Sequence, residues 1–489
     1  MPFARVVPVS LLVILAAVSG CQRAADSRPN IVLIVLDTVR ADRVTCRSDN
    51  RAPTPRIDAL CERGSYFERV SSSSSWTLPA HASLFTGLYP IRHAATQEHT
   101  LLDERSPTLA ELLGESGYRT FGVSANPLVS IASGLARGFD SFEETWRASA
   151  RSDSLLPDRH PNLLAVDQLL EYRDSERPFF LFVNFIEAHG PNQPPEPYRS
   201  AAAGRRIDPR EVAAASEHDA ATYYLDPSSI TEQDFELLGT LYDGEIAQLD
   251  ALVGALLDRL EAAGVLDDSV LILTSDHGEN FGEHGHFRHI FSLYHDTVRV
   301  PLVVVLPDGA HAGERRSDPV ALVDLFATIL AAGGVALPAA DSDARDLFAA
   351  RPSTDAERSI IAEYYFPLQA MSLFAADEAA ASDGPLRRYL RRLRSIESDG
   401  LRWIWSSDGA HELYDLAADP SETRNLAGDP RFAARERELR ARLESFVAEA
   451  GGPRPLPAAG SPSGEPRGAF EGLDSESAEL LRELGYLPR

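Results

Sequence analysis

Four apolar runs of strand length limit what this chain can fold into: Asn30–Asp37 (NIVLIVLD), Pro178–Ile186 (PFFLFVNFI), Ser269–Ser275 (SVLILTS) and Pro301–Leu306 (PLVVVL). A strand with one face in water alternates apolar and polar residues. A run apolar throughout is buried on both faces, as strands are in a parallel sheet covered by helices on either side. Helical patterns fall between the runs. Residues 231–263 place Leu238, Leu241, Ile246, Leu249, Val253, Leu256 and Leu260 at the spacing of an amphipathic helix. Thr108–Ser116 and Ala321–Ala332 read the same way. Strands alternating with helices predict a doubly wound α/β domain.

The 489 residues suffice for a large core without disulfide or metal staples. Hydrophobic residues at 44% and charged residues at 25% exclude whole-chain disorder. Asp+Glu number 73 against 47 Lys+Arg, a net charge of −26. Such a chain repels nucleic acid, whose binding rests on basic side chains that neutralise phosphates, so no nucleic-acid partner is expected. Every basic residue is arginine, so no mechanism here uses a lysine.

Residues 1–20 carry Arg5 and then an apolar run from Val6 to Ser19 interrupted by Pro8. About 20 apolar residues span a bilayer, so this shorter run reads as a signal peptide. It closes on Val18-Ser19-Gly20-Cys21, which resembles the bacterial lipobox. The expectation is an exported lipoprotein on the periplasmic or extracellular side of a bacterial membrane. It would meet that membrane only through a lipid on Cys21 and a tether over 21–29. Cys46 and Cys61, 15 residues apart, are either bridged, which an exported compartment permits, or two buried thiols.

Residues 190–230, rich in Pro, Ala and charge, read as an irregular insertion over one sheet face. The segment 386–415 turns from Arg-rich to Leu401–Trp405 and then His411–Leu416, short strands of a small antiparallel sheet. Residues 431–449 read as a solvated helix, 451–468 as a linker and 475–486 as a short docking helix.

Ligands in open α/β sheets bind beyond the carboxyl ends of strands. The first run ends in Asp37-Thr38. The third ends in Asp276-His277-Gly278-Glu279, followed by Glu283-His284-Gly285-His286 and His289. If these two strands are neighbours, Asp37, Asp276 and His277 converge on one divalent-metal site of mixed oxygen and nitrogen donors. Between them lies Trp76-Thr77-Leu78-Pro79, where Thr77 before a proline and an apolar turn predicts an N-cap. A helix N-terminus directs N–H groups at anions, and a hydroxyl placed there can attack phosphorus or sulfur.

These segments together resemble the sulfatase family of the alkaline phosphatase superfamily. Asn30–Asp42 is similar to its first metal strand, and Thr77–Pro90 (TLPAHASLFTGLYP) to its nucleophile signature. Phe179–His189 with Pro191 resembles its histidine strand, and Asp276–Gly285 its second metal segment. Glu412–Leu416 through Asp419-Pro420 and Asn425-Leu426 resembles its C-terminal signature. The likeness runs over about residues 29–430. It implies a large mixed, mostly parallel sheet sandwiched by helices, alkaline phosphatase-like, with a small C-terminal antiparallel subdomain. The expected units are a signal peptide (1–20), a tether (21–29), a catalytic domain (30–365), a C-terminal α+β subdomain (366–450), and a linker with a short terminal helix (451–489).

The departures shape the expected mechanism. Sulfatases carry a cysteine or serine, oxidised to formylglycine, where this chain has Thr77. The family's arginine position holds His81, Thr38 is at best a weak replacement for a carboxylate, and His289 falls near a family lysine. A threonine nucleophile resembles the lipoteichoic-acid synthase and phosphoethanolamine transferase branch. The resemblance thus implies an exported metal-dependent hydrolase or transferase of sulfate or phosphate esters on a small molecule, glycan or lipid headgroup. Its metal would be held by Asp37, Thr77, Asp276 and His277. Thr77 would be the nucleophile, and His81, His189 and His289 would surround the transferred group. His289 is the first choice as acid, with His284 and His286 behind it. Mn²⁺, Mg²⁺ or Zn²⁺ is favoured over Ca²⁺, which prefers oxygen donors. The alternatives are a sulfuric ester hydrolase that works without formylglycine, and an inactive surface-binding lipoprotein.

Overall fold

The structure is a computed structural model and describes residues 28–44, 46, 53–148, 156–338, 342–349, 358–366, 385–451 and 475–484. The expected signal peptide, Cys21, nearly all of the tether and the 452–468 linker lie outside the described residues.

Strands are numbered in chain order: β1 (Asn30–Leu36), β2 (Ser65–Phe67), β3 (Val70–Ser71), β4 (Arg119–Ser124), β5 (Ser141–Glu144), β6 (Phe179–Phe185), β7 (Ser269–Thr274), β8 (Leu302–Val305), β9 (Arg315–Arg316) and β10 (Val320–Ala321). Eight form one sheet in the order β5-β4-β6-β1-β7-β8-β2-β9, while β3 pairs with β10. From β5 to β7 every pairing is parallel. β8 runs antiparallel to both β7 and β2. The run at 301–306 was expected to be parallel like the others, and this is a correction. A strand buried on both faces reads as apolar whichever way it runs, so composition cannot give its direction.

β1 lies at the centre and explains its own sequence. Val32, Ile34 and Leu36 face one apolar cluster, and Ile31, Leu33 and Val35 face the other. The long helix Glu232–Ala262 covers the first face with Leu238, Leu241, Ile246, Leu249, Val253, Leu256 and Leu260. Its start is fixed by a capping box in which Thr231 and Asp234 satisfy each other's backbone N–H groups. Helices Thr77–Thr86, Leu109–Glu115 and Asp324–Ala332 cover the second face. The last begins three residues later than expected, because Val320-Ala321 is taken up as β10.

Residues 190–230 are not irregular. They form helices Tyr198–Ala203, Pro209–Ser216 and Ala220–Leu225, the latter two capped by Asp208 and Asp219. Each is eight residues or fewer, too short for helical periodicity to show through the prolines and alanines. The small sheet is antiparallel, as expected, with strands β11 (Ile360–Tyr364), β12 (Leu393–Ser398), β13 (Leu401–Ser406) and β14 (Glu412–Asp415). Its first strand precedes residue 366, where the subdomain was expected to begin. Helix Ala433–Glu449 packs on this sheet through Leu439 and Leu443. A terminal helix, Ser475–Glu483, places Leu481 in the second core cluster. Cys46 and Cys61 are disulfide-bonded, which closes the alternative of two thiols. Among the described residues no helix is long and apolar enough to cross a membrane.

Candidate active site

Four neighbouring parallel strands, in the order β4-β6-β1-β7, end at one rim of the sheet. The residues after them supply Asn126, His189, Asp37, and the pair Asp276 and His277. This is the carboxyl-end crevice in which open α/β sheets bind ligands. Tyr242 of the long helix fastens the β1 exit: its hydroxyl donates to the Thr38 carbonyl at 2.7 Å and accepts the Arg40 N–H at 2.9 Å. Arg40, buried, pairs with Asp42, Glu283 and Asp296 and so ties the β1 loop to the β7 loop. Gly278 must lack a side chain, since a Cβ there would lie 2.1 Å from the Asp296 carbonyl oxygen.

Asp37, Asp276 and His277 offer ligand atoms that all lie within 4.8 Å of one another. All three side chains are 0% exposed. Burial, then the neighbouring Asp276, pushes the Asp37 carboxyl well above the usual range, and burial raises Asp276 to about 7. Two buried carboxylates side by side resist ionising together unless a cation joins them. Asp37 Oδ1 accepts no hydrogen bond among the described residues. Asp276 Oδ2 has the ring nitrogens of His81 and His277 at 3.5 and 3.3 Å. The remaining oxygens are held in place. Asn126 donates to Asp37 Oδ2 at 2.7 Å, Asn184 reaches the same atom at 3.5 Å, and the Thr38 N–H donates to Asp276 Oδ1 at 3.1 Å. The set fits a divalent cation by donor chemistry and by its uncompensated charge.

Thr77 is not the N-cap. Trp76 is, because its carbonyl accepts the first helical hydrogen bond, from the Ala80 N–H at 3.2 Å. Pro79 falls in the first turn, where the missing N–H has no intrahelical partner to lose. Starting the helix one residue early leaves the Thr77 hydroxyl without capping duty, and Thr77 Oγ1 lies 3.2 Å from His277 Nε2. One turn on, His81 Nδ1 donates to the Thr77 carbonyl at 2.9 Å, with its ring edge-on to Phe85 and Phe182. His81 therefore steadies the Thr77 turn and faces Asp276, with much of its ring against the aromatic core.

Three further histidines are each tethered at Nδ1. His277 donates to the Gly278 carbonyl at 3.0 Å and His189 to the Gly190 carbonyl at 2.7 Å. A carbonyl only accepts, so both rings carry their proton on Nδ1 and present Nε2 as a lone pair. His289 Nδ1 meets the Glu279 carboxylate at 3.2 Å. The His289 ring stands 4.6 Å from that of His277 and 5.0 Å from that of His189. Burial holds His81 and His189 near 3 and keeps His289 well below the usual imidazole range.

The fold thus gathers Asp37, Thr77, His81, His189, Asp276, His277 and His289. It leaves out three residues named from sequence. Thr38 turns its hydroxyl onto the Asp37 carbonyl at 2.7 Å and works through its backbone N–H instead. His284 stacks on Tyr294 at 3.8 Å, and His286 is buried against Tyr224 and Tyr389. Asn126, Asn184 and the Glu279 side chain, all 0% exposed, complete the site and had been given no role from sequence.

A buried threonine in the first turn of a helix, beside a candidate cation site at the carboxyl rim of a mostly parallel sheet, fits a metal-dependent hydrolase of the sulfatase and alkaline phosphatase superfamily. The chain belongs to the sulfatase family, whose profile matches residues 29–335. It is 27% identical to the multifunctional alkaline phosphatase superfamily protein PehA of Trinickia caryophylli, over 84% of this chain and 94% of that one. It is 24% identical to the N-acetylglucosamine-6-O-sulfatase of Bacteroides thetaiotaomicron, over 89% and 90%. The phosphonate monoester hydrolase of Agrobacterium radiobacter shares the fold with a TM-score of 0.69 at 22% identity, covering 86% of this chain and 96% of that one. The reaction class is hydrolysis of phosphate- or sulfate-type esters.

Proposed function

We propose that the protein cleaves its ester by two successive displacements, with Thr77 Oγ as the nucleophile of the first. The observation that carries this reading is the seat of Thr77: fully buried, relieved of capping, and 3.2 Å from His277 Nε2 within the metal triad. Asp37, Asp276, His277 and Thr77 are the residues that would hold a divalent cation, which when bound stabilises charge on the transferring group. Two carboxylates with an imidazole favour Mn²⁺, Mg²⁺ or Zn²⁺ over Ca²⁺. His289 serves the leaving oxygen as acid, His189 lies beside it, and His81 keeps the Thr77 turn in place.

Threonine cannot be oxidised to an aldehyde, so an ester formed on Thr77 has no carbonyl collapse by which to leave. It must be displaced at phosphorus or sulfur by water or an acceptor alcohol. Phosphoryl oxygens carry more charge than sulfuryl oxygens, and so gain more from a cation. The likeness to a multifunctional phosphatase-superfamily protein supports the phosphoryl reading. A sulfatase proper, acting on a glycan sulfate, is the second reading, supported by the likeness to an N-acetylglucosamine-6-O-sulfatase. The intact metal triad argues against an inactive binding protein. Export with a lipid on Cys21 remains part of the proposal, and a Cys46–Cys61 bridge suits an oxidising compartment.

The test is a substrate panel of aryl sulfate, phosphate monoester, phosphodiester and phosphonate monoester, each assayed with Mn²⁺, Mg²⁺, Zn²⁺ and Ca²⁺. Metal-dependent turnover of the phosphorus esters is expected. Turnover of aryl sulfate alone would replace the phosphoryl reading with the sulfatase one.

A further inference from the structure

Exposure around Thr77 rises in one direction. Asp37, Thr77, Asp276 and His277 are 0% exposed, His189 and His289 are 5% and 4% exposed, and Arg288 is half-buried. Side-chain contacts give the same order: His277 lies against Thr77, His289 against His277, and His189 against His289. Arg288 comes next, because its guanidinium rests on Gly190, the residue after His189. A Cβ on Gly190 would lie 1.7 Å from Arg288 Nη1, so the approach needs a glycine there. Arg288 therefore stands at the outer edge of the site, beyond the two histidines as seen from Thr77.

The arginine is fixed from several sides. Its Nη1 donates to Asn192 Oδ1 at 3.0 Å, and Asn192 donates in turn to buried Glu245 of the long helix at 2.6 Å. The guanidinium carbon lies 4.6 Å from the centre of the Phe287 ring, a stacking that keeps the N–H edge for polar partners. Its backbone, at a φ of 65°, is in the region that favours glycine. Asn280 pins it there, donating to the Arg288 carbonyl at 3.2 Å and accepting the Arg288 N–H at 3.1 Å. The guanidinium is close enough for its charge to add to the burial that holds the His189 and His289 imidazoles down, and to offset the burial that pushes the Glu245 and Glu279 carboxyls up. Arg40, the arginine of the β1 loop, is committed to Asp42, Glu283 and Asp296.

We infer that Arg288 is a specificity-determining residue that reads an oxyanion on the leaving group, a carboxylate, phosphate or sulfate a few bonds beyond the scissile oxygen. The inference rests on the reading above, in which the leaving oxygen lies toward His289, and deepens it by naming a substrate class. A planar guanidinium grips an oxyanion through paired N–H bonds, which fixes its orientation as well as its charge. The chain as a whole, at −26, repels anions. A fixed cation at the mouth of the site draws an anionic leaving group in and favours it over a neutral one.

The experiment compares the 3-carboxyphenyl and 3-carbamoylphenyl monoesters of phenylphosphonic acid, which differ chiefly by one charge on the leaving group, with the matching aryl sulfates beside them. In wild type with Mn²⁺ the carboxylate ester should be preferred in kcat/KM by about 10-fold. Arg288→Gly, which suits the left-handed backbone, should bring that ratio to about 1. Arg288→Lys should keep part of it, since an ammonium carries the charge without the fork. Each ratio is taken on one preparation, so partial misfolding cancels from it. A second readout needs no turnover: isothermal titration of the same esters into Thr77→Ala and into Thr77→Ala/Arg288→Gly, with the preference read as a ratio of Kd values. The same collapse is expected there. No preference for the carboxylate with Arg288 present, or a preference that survives Arg288→Gly, would overturn the inference. The Thr77 reading fails differently, through turnover by Thr77→Ala without a covalent adduct on wild type, so the two failures are distinguishable.

Discussion

Thr77 Oγ1 and His277 Nε2 stand 3.2 Å apart although 200 residues separate them. The contact joins the first turn of a helix on one face of the sheet to the exit of β7, whose neighbour β1 delivers Asp37 to the same point. It makes one unit of two features that are weak apart, a helix start and a strand end.

The metal triad has a pH signature. The Asp276 carboxyl is raised to about 7 from 3.8 in the metal-free fold, chiefly by burial. Between those values the folded chain keeps a proton the unfolded chain has lost, so this group's contribution to stability falls as pH rises through the window. A cation takes the place of the proton. Added Mn²⁺ should therefore raise Tm more at pH 8 than at pH 5.5 in calorimetry. Asp276→Ala should abolish both the gain and the activity while keeping the circular dichroism spectrum. An equal Tm gain at both pH values would contradict the site.

Asn126 should matter without touching the metal. Its amide donates to Asp37 Oδ2 at 2.7 Å and so aims the other oxygen inward. Asn126→Ala is expected to weaken metal binding by about 10- to 100-fold, measured by isothermal titration, with the fold retained. Unchanged affinity would make the contact structural only.

The Cys46–Cys61 disulfide closes a loop of 15 residues in sequence just beyond the β1 exit. On the chain-entropy account, Cys61→Ser should cost about 3 kcal/mol of stability in denaturant unfolding. A loss below about 1 kcal/mol would show that the loop is already held by its other contacts.

Cys21→Ser should block lipid attachment and release the protein from the membrane fraction. Wild-type protein found wholly soluble, with no lipid mass on its N-terminal peptide, would remove the lipoprotein proposal.

What the sequence made legible follows from where each signal is local. The four apolar runs are strands because burial on both faces leaves no polar position to confuse the period, and two of them ended on the metal ligands. β4 stayed hidden because Arg119, Thr120, Gly122 and Ser124 dilute its apolar residues, so Asn126 was never seen as lying just beyond a strand end. Glu279 was read inside a motif but given no role, since its partner His289 is ten residues away and meets it only through the Asn280–Arg288 pairing. His284 and His286 show the converse. Their clustering with His277 in sequence is real, but the loop turns them toward Tyr294 and Tyr224 rather than the metal ligands.

The most direct measurement is on Thr77 itself. Wild-type enzyme turning over a phosphonate monoester is quenched in acid, digested, and the peptide containing Thr77 is weighed by mass spectrometry. An adduct of phosphonyl mass on Thr77 is expected. Thr77→Ala should have no turnover and no adduct, with the circular dichroism spectrum of the folded chain retained. Thr77→Ser should keep part of the activity. Sustained turnover by Thr77→Ala, with no adduct on the wild-type peptide, would contradict a threonine nucleophile.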